Sequence, residues 1–322
     1  MSFASRPVVA RLVAGAAVVA FLVAGCTGGS DGGTGQSTSA AAAGDAESAH
    51  APRAVSTTFI SYASGQNFEA TVDALHKAAA DNGMMIVGDV NQDAELAATG
   101  LQLPGAHSFF VGNPKIGKTF FESTQAIGAV IPVRVSVWVD GDGPAHISYF
   151  DPAPEFAAVD PDLGDGGQQV SQAIRTIAEA AAGGGGPTTT TAVETTFITV
   201  DAVGSFEATI GSLHDAAAEH GMTILGDVNQ ETRLEAIGLQ SQRAHSFFVG
   251  DPQMGTTLFG ATQAIAAVVP GRVHVWSDGR SPAHISYFDP APMFTAVDPA
   301  LSDAGRQLSQ EVHAIAEAAA KQ

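Results

Sequence analysis

The feature that most constrains this chain is that it is written twice. The segment opening at Phe68 returns at Phe206, and FEAT, GDVNQ, AHSFFVG, TQAI and PAHISYFDPAP recur with the same offset of 138 positions. A chain of 322 residues has room for two such units, each with a core of its own. There are two copies, each carrying a full set of elements, so the pattern reads as a tandem of domains and not as a solenoid. Gly183-Gly184-Gly185-Gly186-Pro187 and the threonines after it read as a linker. The expected organisation is a signal peptide over 1–26, a flexible tether over 27–54, a first repeat over 55–182, a linker over 183–192 and a second repeat over 193–322.

Within a copy the patterns alternate between strand and helix. Residues 55–62 have strand alternation, and Asn67 caps a helix whose stripe is Phe68, Val72, Leu75 and Ala79, ended by Gly83. A strand over 84–90, a short helix near 93–99 and a strand over 106–111 follow. Asn113 and Pro114 open a helix expected to run to about Ile131, where Pro132 stops it. Strands over 133–139 and 145–150 are joined through Asp140-Gly141-Asp142-Gly143, and a last helix is expected at about 168–182. Consecutive strands with interspersed helices predict an α+β fold: two similar helix-on-sheet sandwich domains with mainly antiparallel sheets.

The N-terminus reads as an address. Arg6 and Arg11 precede an apolar run from Leu12 to Leu22, too short for a permanent span, and Val23-Ala24-Gly25-Cys26 looks like a lipobox. Cys26 is the chain's single cysteine, which excludes an internal disulfide or a thiolate metal site and marks it as the residue to be acylated, as with palmitate. The expectation is an exported lipoprotein, anchored to the cell membrane by lipid and facing the extracytoplasmic side. With 33 acidic against 14 basic side chains the net charge is −19, which repels nucleic-acid phosphates, so no nucleic acid is expected as partner. A small molecule or an envelope protein is the expected partner class, with the two repeats docking as an internal pseudo-dimer; no cofactor is specified.

Gly112-Asn113-Pro114-Lys115, Pro132, Val137-Trp138 and Ser148-Tyr149 with Asp151-Pro152 form a pattern that resembles the domain of unknown function 302 family. The second copy keeps Gly250, Pro252, Pro270, Val275-Trp276, Ser286-Tyr287 and Asp289-Pro290. The resemblance covers both repeats and implies a compact helix-on-sheet fold in which domains tend to pair; it brings no established activity. Where many relatives look to carry an Asp-His pair, both copies have amides, Asn91-Gln92 and Asn229-Gln230. Positions that hold cysteine elsewhere in the family are Gly112 and Val133, or Gly250 and Gly271, so thiol chemistry does not carry over.

Residues 112–119 also match G-x-x-x-x-G-K-[ST] letter for letter. A phosphate loop needs a nest of free backbone N–H groups and a lysine. Pro114 removes one donor, and the second copy has Gly255-Thr256 with Asp251 in the loop. Nucleotide binding is therefore not expected.

Three histidines recur, as His76/His214, His107/His245 and His146/His284. The first two pairs read as structural, at the core edge or hydrogen-bonded within it. On the terminal hairpin Val133, Val135 and Val137 mark the core face, so Arg134, Ser136 and Trp138 point the other way beside His146, Ser148 and Phe150. The ligand-binding candidates are thus Arg134, Trp138, His146 and Ser148, with Arg272, His274, Trp276, His284 and Ser286 in the second copy. That face either packs the repeats together, holds a small molecule or anion, or binds metal through His146 and His284. No Cys nucleophile, recurring Ser-His-Asp order or paired carboxylates point to catalysis. The expected function is a non-enzymatic small-ligand binding or protein-interaction module, with a metal-dependent or acid–base enzyme acting between the repeats as the alternative.

Overall fold

The computed structural model describes residues 50–184, 186–238, 243–279 and 282–322. The signal peptide, Cys26 and most of the tether lie outside the described residues. No helix among the described residues is long and apolar enough to cross a membrane.

The first repeat supplies β1 (Arg53–Ala63), α1 (Phe68–Asp81), β2 (Met85–Asn91), α2 (Gln92–Ala97), β3 (Ala106–Gly112), α3 (Pro114–Ser123), β4 (Val133–Val139), β5 (Ala145–Phe150), α4 (Pro152–Val159) and α5 (Gly164–Ala181). The second supplies β6 (Thr189–Asp201), α6 (Phe206–Glu219), β7 (Thr223–Asn229), α7 (Gln230–Glu235), β8 (Arg243–Gly250), α8 (Pro252–Ala261), β9 (Gly271–Ser277), β10 (His284–Phe288), α9 (Pro290–Val297) and α10 (Ser302–Ala320).

These strands do not make two separate sandwiches, and the expected fold class is corrected here. All ten join one sheet in the order β2-β3-β4-β5-β1-β6-β10-β9-β8-β7, every described pair antiparallel. The sheet curls until its outer strands meet, where Val90 and Phe110 pack with Val228 and Phe248, giving a mixed α/β fold around a nearly closed antiparallel barrel. The physical reason lies in β1 and β6. Each uses one edge to pair within its own repeat, which leaves a long free edge, and pairing the two edges satisfies both rows of backbone groups. They do so from Arg53↔Phe197 to Ser61↔Thr189. Thr189 to Ala192, read from composition as linker, therefore form the start of a strand.

Apolar faces of the long helices cover the outside of this sheet. Leu75 of α1 and Ile174 and Ile177 of α5 pack with Val135, Val137, Ile147 and Tyr149, all buried, and α6 and α10 repeat the arrangement. Burial on this scale supplies the main favourable term for folding. The helix expected from Asn113 to Ile131 breaks at Thr124, whose hydroxyl caps a 3-10 turn at Gln125–Ala129. Asp151-Pro152 starts a further helix, α4, with Asp151 capping and Pro152 in the first turn. The 112–119 loop is no phosphate cradle: the Asn113 side-chain oxygen accepts from the N–H groups of Lys115 and Ile116, and Lys118 lies 3.8 Å from Glu122.

The inner face of the sheet is where the repeats meet. Phe110 and Phe248 stack at 4.4 Å, with the Arg134 and Arg272 guanidinium groups 5.5–5.6 Å from the centres of both rings. Arg134 donates to the Pro270 carbonyl at 2.6 Å; Arg272 donates to Val130 and Pro132 at 2.7 Å. Ser108 and Ser246 hydroxyls donate across to Ala266 and Gly128 carbonyls.

Candidate functional site: a His-Asp-His cluster

The hairpin register places Trp138 opposite His146 and Ser136 opposite Ser148, as alternation predicts. The second copy pairs Trp276 with His284 and His274 with Ser286. In each, the Trp indole N–H donates at 2.8 Å to a serine, Ser148 or Ser286, and the indole face then carries the histidine ring, at 4.2 Å for His146 and 4.3 Å for His284. The serine fixes the Trp, and the Trp positions the His.

Among the described residues, only the second copy completes a cluster. β10 lies beside β6 with His284 opposite Asp201, and His284 Nδ1 sits 2.8 Å from Asp201 Oδ1. His50, just ahead of β1, brings its own Nδ1 to the same oxygen at 2.8 Å, with its ring 4.8 Å from His284 and edge-on to Trp276 at 6.0 Å. The three ligand-type atoms lie within 4.8 Å of one another. Asp201 is half exposed, while His50 and His284 are largely covered. Burial pushes the Asp201 carboxyl up, but the hydrogen bond from His284 and the proximity of His50 outweigh it and hold the group below the usual carboxylate range. A cavity of about 220 Å³ adjoins the cluster, walled by His50, Arg53 and Thr124 from one side and by Phe197, Thr199 and Trp276 from the other.

The equivalent place in the first copy is unfinished. Ala63 stands opposite His146 where Asp201 stands opposite His284. Burial lowers the His146 pKa, and the pull of Asp140 in the other direction does not offset it. His146 and His284, expected to meet across the interface if they bind metal, are not brought together. They lie against opposite ends of the antiparallel β1–β6 pair.

The remaining candidates belong to the contact between repeats. Arg134 and Arg272 are spent on carbonyls, and burial lowers their pKa values to about 9 and about 10. His274 bridges Ser246 Oγ and the Gln125 carbonyl; burial drives it down to about 3, so it is neutral. His76 and His214 sit edge-on to Phe109 and Phe247. His107 and His245 are half-buried on the sheet rim, His245 within 2.6 Å of Asp227 and His107 3.7 Å from Asp89.

Sequence reasoning missed His50 and Asp201. His50 falls in a stretch with no periodicity, and Asp201 is invisible to a search for residues shared by both copies. The available signal was the opposite one: an acid in the second copy where the first has alanine, beside a histidine that both retain.

Comparison with known proteins gives this framework a family. A model described as "Domain of unknown function DUF302" matches residues 60–181 and again 198–319. The chain is 30% identical over 83 residues to fluoride-specific ion channel FluC 1 of Brucella suis biovar 1, covering 26% of this chain and 33% of the relative. FluC 1 of Brucella abortus biovar 1 and FluC 2 of Brucella melitensis biotype 1 match at the same identity over 31% of their length. The chain thus spans about a third of the curated relatives it matches. A crystal structure of an uncharacterized conserved DUF302 protein from Bacillus stearothermophilus is similar at 14% identity and a TM-score of 0.36, over 38% of this chain and 97% of that one. With two matches of one model together covering most of its length, the chain belongs to the DUF302 family as a tandem pair.

Proposed function

We propose that His50, Asp201 and His284 bind a divalent transition-metal ion, and that this ion, open on one side to the adjoining cavity, is the functional centre of the molecule. The observation that carries this reading is the convergence of two imidazole nitrogens on one carboxylate oxygen. Two histidines and a carboxylate are the donor set of catalytic zinc sites and suit several first-row ions. Metal–ligand bonds of about 2.1 Å place neighbouring ligand atoms roughly 3.4 Å apart in tetrahedral geometry, a spacing these side chains reach with small rotations. Trp276 and Ser286 supply the outer support that such ligands require. With three protein ligands, a fourth position remains for water or substrate, which is the basis of Lewis-acid and acid–base chemistry.

Around this centre the chain is proposed to be an extracytoplasmic lipoprotein, held at the cell membrane through acylated Cys26. A small molecule in the cavity beside Trp276 is the proposed partner, and the contacts of Arg134 and Arg272 support the two repeats acting as an internal pseudo-dimer. Native mass spectrometry of residues 46–322 with one equivalent of Zn²⁺ tests the metal reading. Retention of one ion, lost in Asp201→Asn and in His284→Ala, is expected. Equal retention by all three proteins places the ion elsewhere and overturns it.

A further inference from the structure

Each repeat lays its short helix over the other. α2 of the first covers α8 of the second, joined by a 2.8 Å contact between the Thr99 and Thr256 hydroxyls, and α7 packs over α3. A cavity lies beneath each lid, and the two are pseudo-equivalent in position but unlike in content. The one under α2 measures about 220 Å³, the one under α7 about 70 Å³.

The difference begins with one amide. In the smaller cavity Gln230 is fully used: its NH₂ donates to Ser246 Oγ at 2.8 Å and its Oε1 accepts from the Ser246 N–H at 3.2 Å. In the larger, Gln92 is 2% exposed and donates to Ser108 Oγ at 2.7 Å, yet among the described residues its Oε1 has no partner. The amide cannot simply be turned over, because the Ser108 hydroxyl already spends its proton on the Ala266 carbonyl and must accept from Gln92. A buried acceptor left without a donor is rare in folded proteins, and this one belongs to a residue on the cavity wall.

Charge differs in the same sense. Glu95 and Asp251 stand on the wall of the larger cavity, where the smaller has Arg233 and Asn113. Burial raises the Glu95 pKa, and no basic side chain among the described residues pairs with it. Otherwise the walls are apolar, from Leu96, Leu225, Met254 and Phe259.

We propose that the cavity beneath α2 binds a small apolar primary ammonium ion, its carbon body against these side chains and its N–H groups donating to Gln92 Oε1 and the Glu95 carboxylate. Three donors on one cationic nitrogen meet the two deficits of the wall, an acceptor without a donor and an acid without a counter-ion. None of the wall residues belongs to the His-Asp-His cluster, so this site stands or falls separately from the metal reading.

The test is calorimetric titration of the purified full-length protein with n-pentylammonium, 1-pentanol and pentanoate at one pH and ionic strength. One saturable site is expected for the ammonium ion, at least tenfold tighter than for the alcohol, with no binding of the carboxylate. Glu95→Gln should weaken pentylammonium at least tenfold, and Leu225→Trp, which narrows the cavity, should weaken binding as well. Asp201→Asn and Arg233→Gln should leave it unchanged. Absence of saturable binding, equal affinity for alcohol and ammonium, or indifference to Glu95→Gln overturns the proposal. Melting temperatures of both wall variants within a few degrees of the parent show that lost binding is not lost fold.

Discussion

Gly128 carries no side chain because the His274 ring stands where a Cβ would go. At the equivalent places the pair is Ala266 and Ser136, so one copy sets the smallest turn residue against a large ring and the other sets two small residues together. Gly128→Ala should therefore force overpacking, at a cost of about 1–3 kcal/mol, and His274→Ser added to it should recover most of that loss. Urea unfolding of the single and double variants measures the coupling; simple additivity would refute it. A second effect concerns Glu155, which is buried and has Met293 as its counterpart. Burial, only partly opposed by Arg272, lifts its carboxyl to about 8. Between the unfolded value near 4.5 and about 8 the folded state holds the proton more tightly, so this group makes stability fall as pH rises through that window. Glu155→Gln should remove that slope, stabilising by on the order of 3 kcal/mol at pH 8 and by little at pH 4.5. Melting curves across that range, with parent and variant superimposing at every pH, would exclude the effect. The His, Trp and Ser of the hairpin could be read from alternation alone, since a pleated strand leaves two faces. His50 could not, because nothing local in the sequence says that the segment before β1 returns to the end of β6.

At the scale of elements, β1 and β6 carry the account. They were legible as strands, but a strand pattern says nothing of which edges will pair, and the threonines at 189–191 have the composition of a linker and the β-branched shape of a strand. Likewise α4 was hidden by Asp151-Pro152, a pair that opens turns and helices alike. The seam predicts a gradient in backbone protection. Amides from Val55 to Ser61 and from Thr191 to Phe197 should exchange most slowly of all strand amides, and those of the outer strands β2 and β7 fastest. Hydrogen-exchange mass spectrometry reads this directly. Rapid exchange at 189–195 would mean a flexible connection there, and the continuous sheet would be wrong.

For the whole molecule, duplication has produced likeness in the framework and difference in the chemistry. Both copies keep the helices that cover the sheet and the Trp-Ser-His support, while Asp201, Glu155, Glu95 and His274 each occur once. Divergence of this kind leaves one centre where symmetry would give two, and the proposed metal position follows from it. X-ray diffraction from crystals of residues 46–322 grown with Zn²⁺, recorded above and below the zinc absorption edge, tests this most directly. A single strong anomalous peak is expected about 2 Å from the Nδ1 atoms of His50 and His284 and an oxygen of Asp201, with none beside His146. A peak at His146 or on the sheet rim at His245, with nothing between His50 and His284, would contradict it.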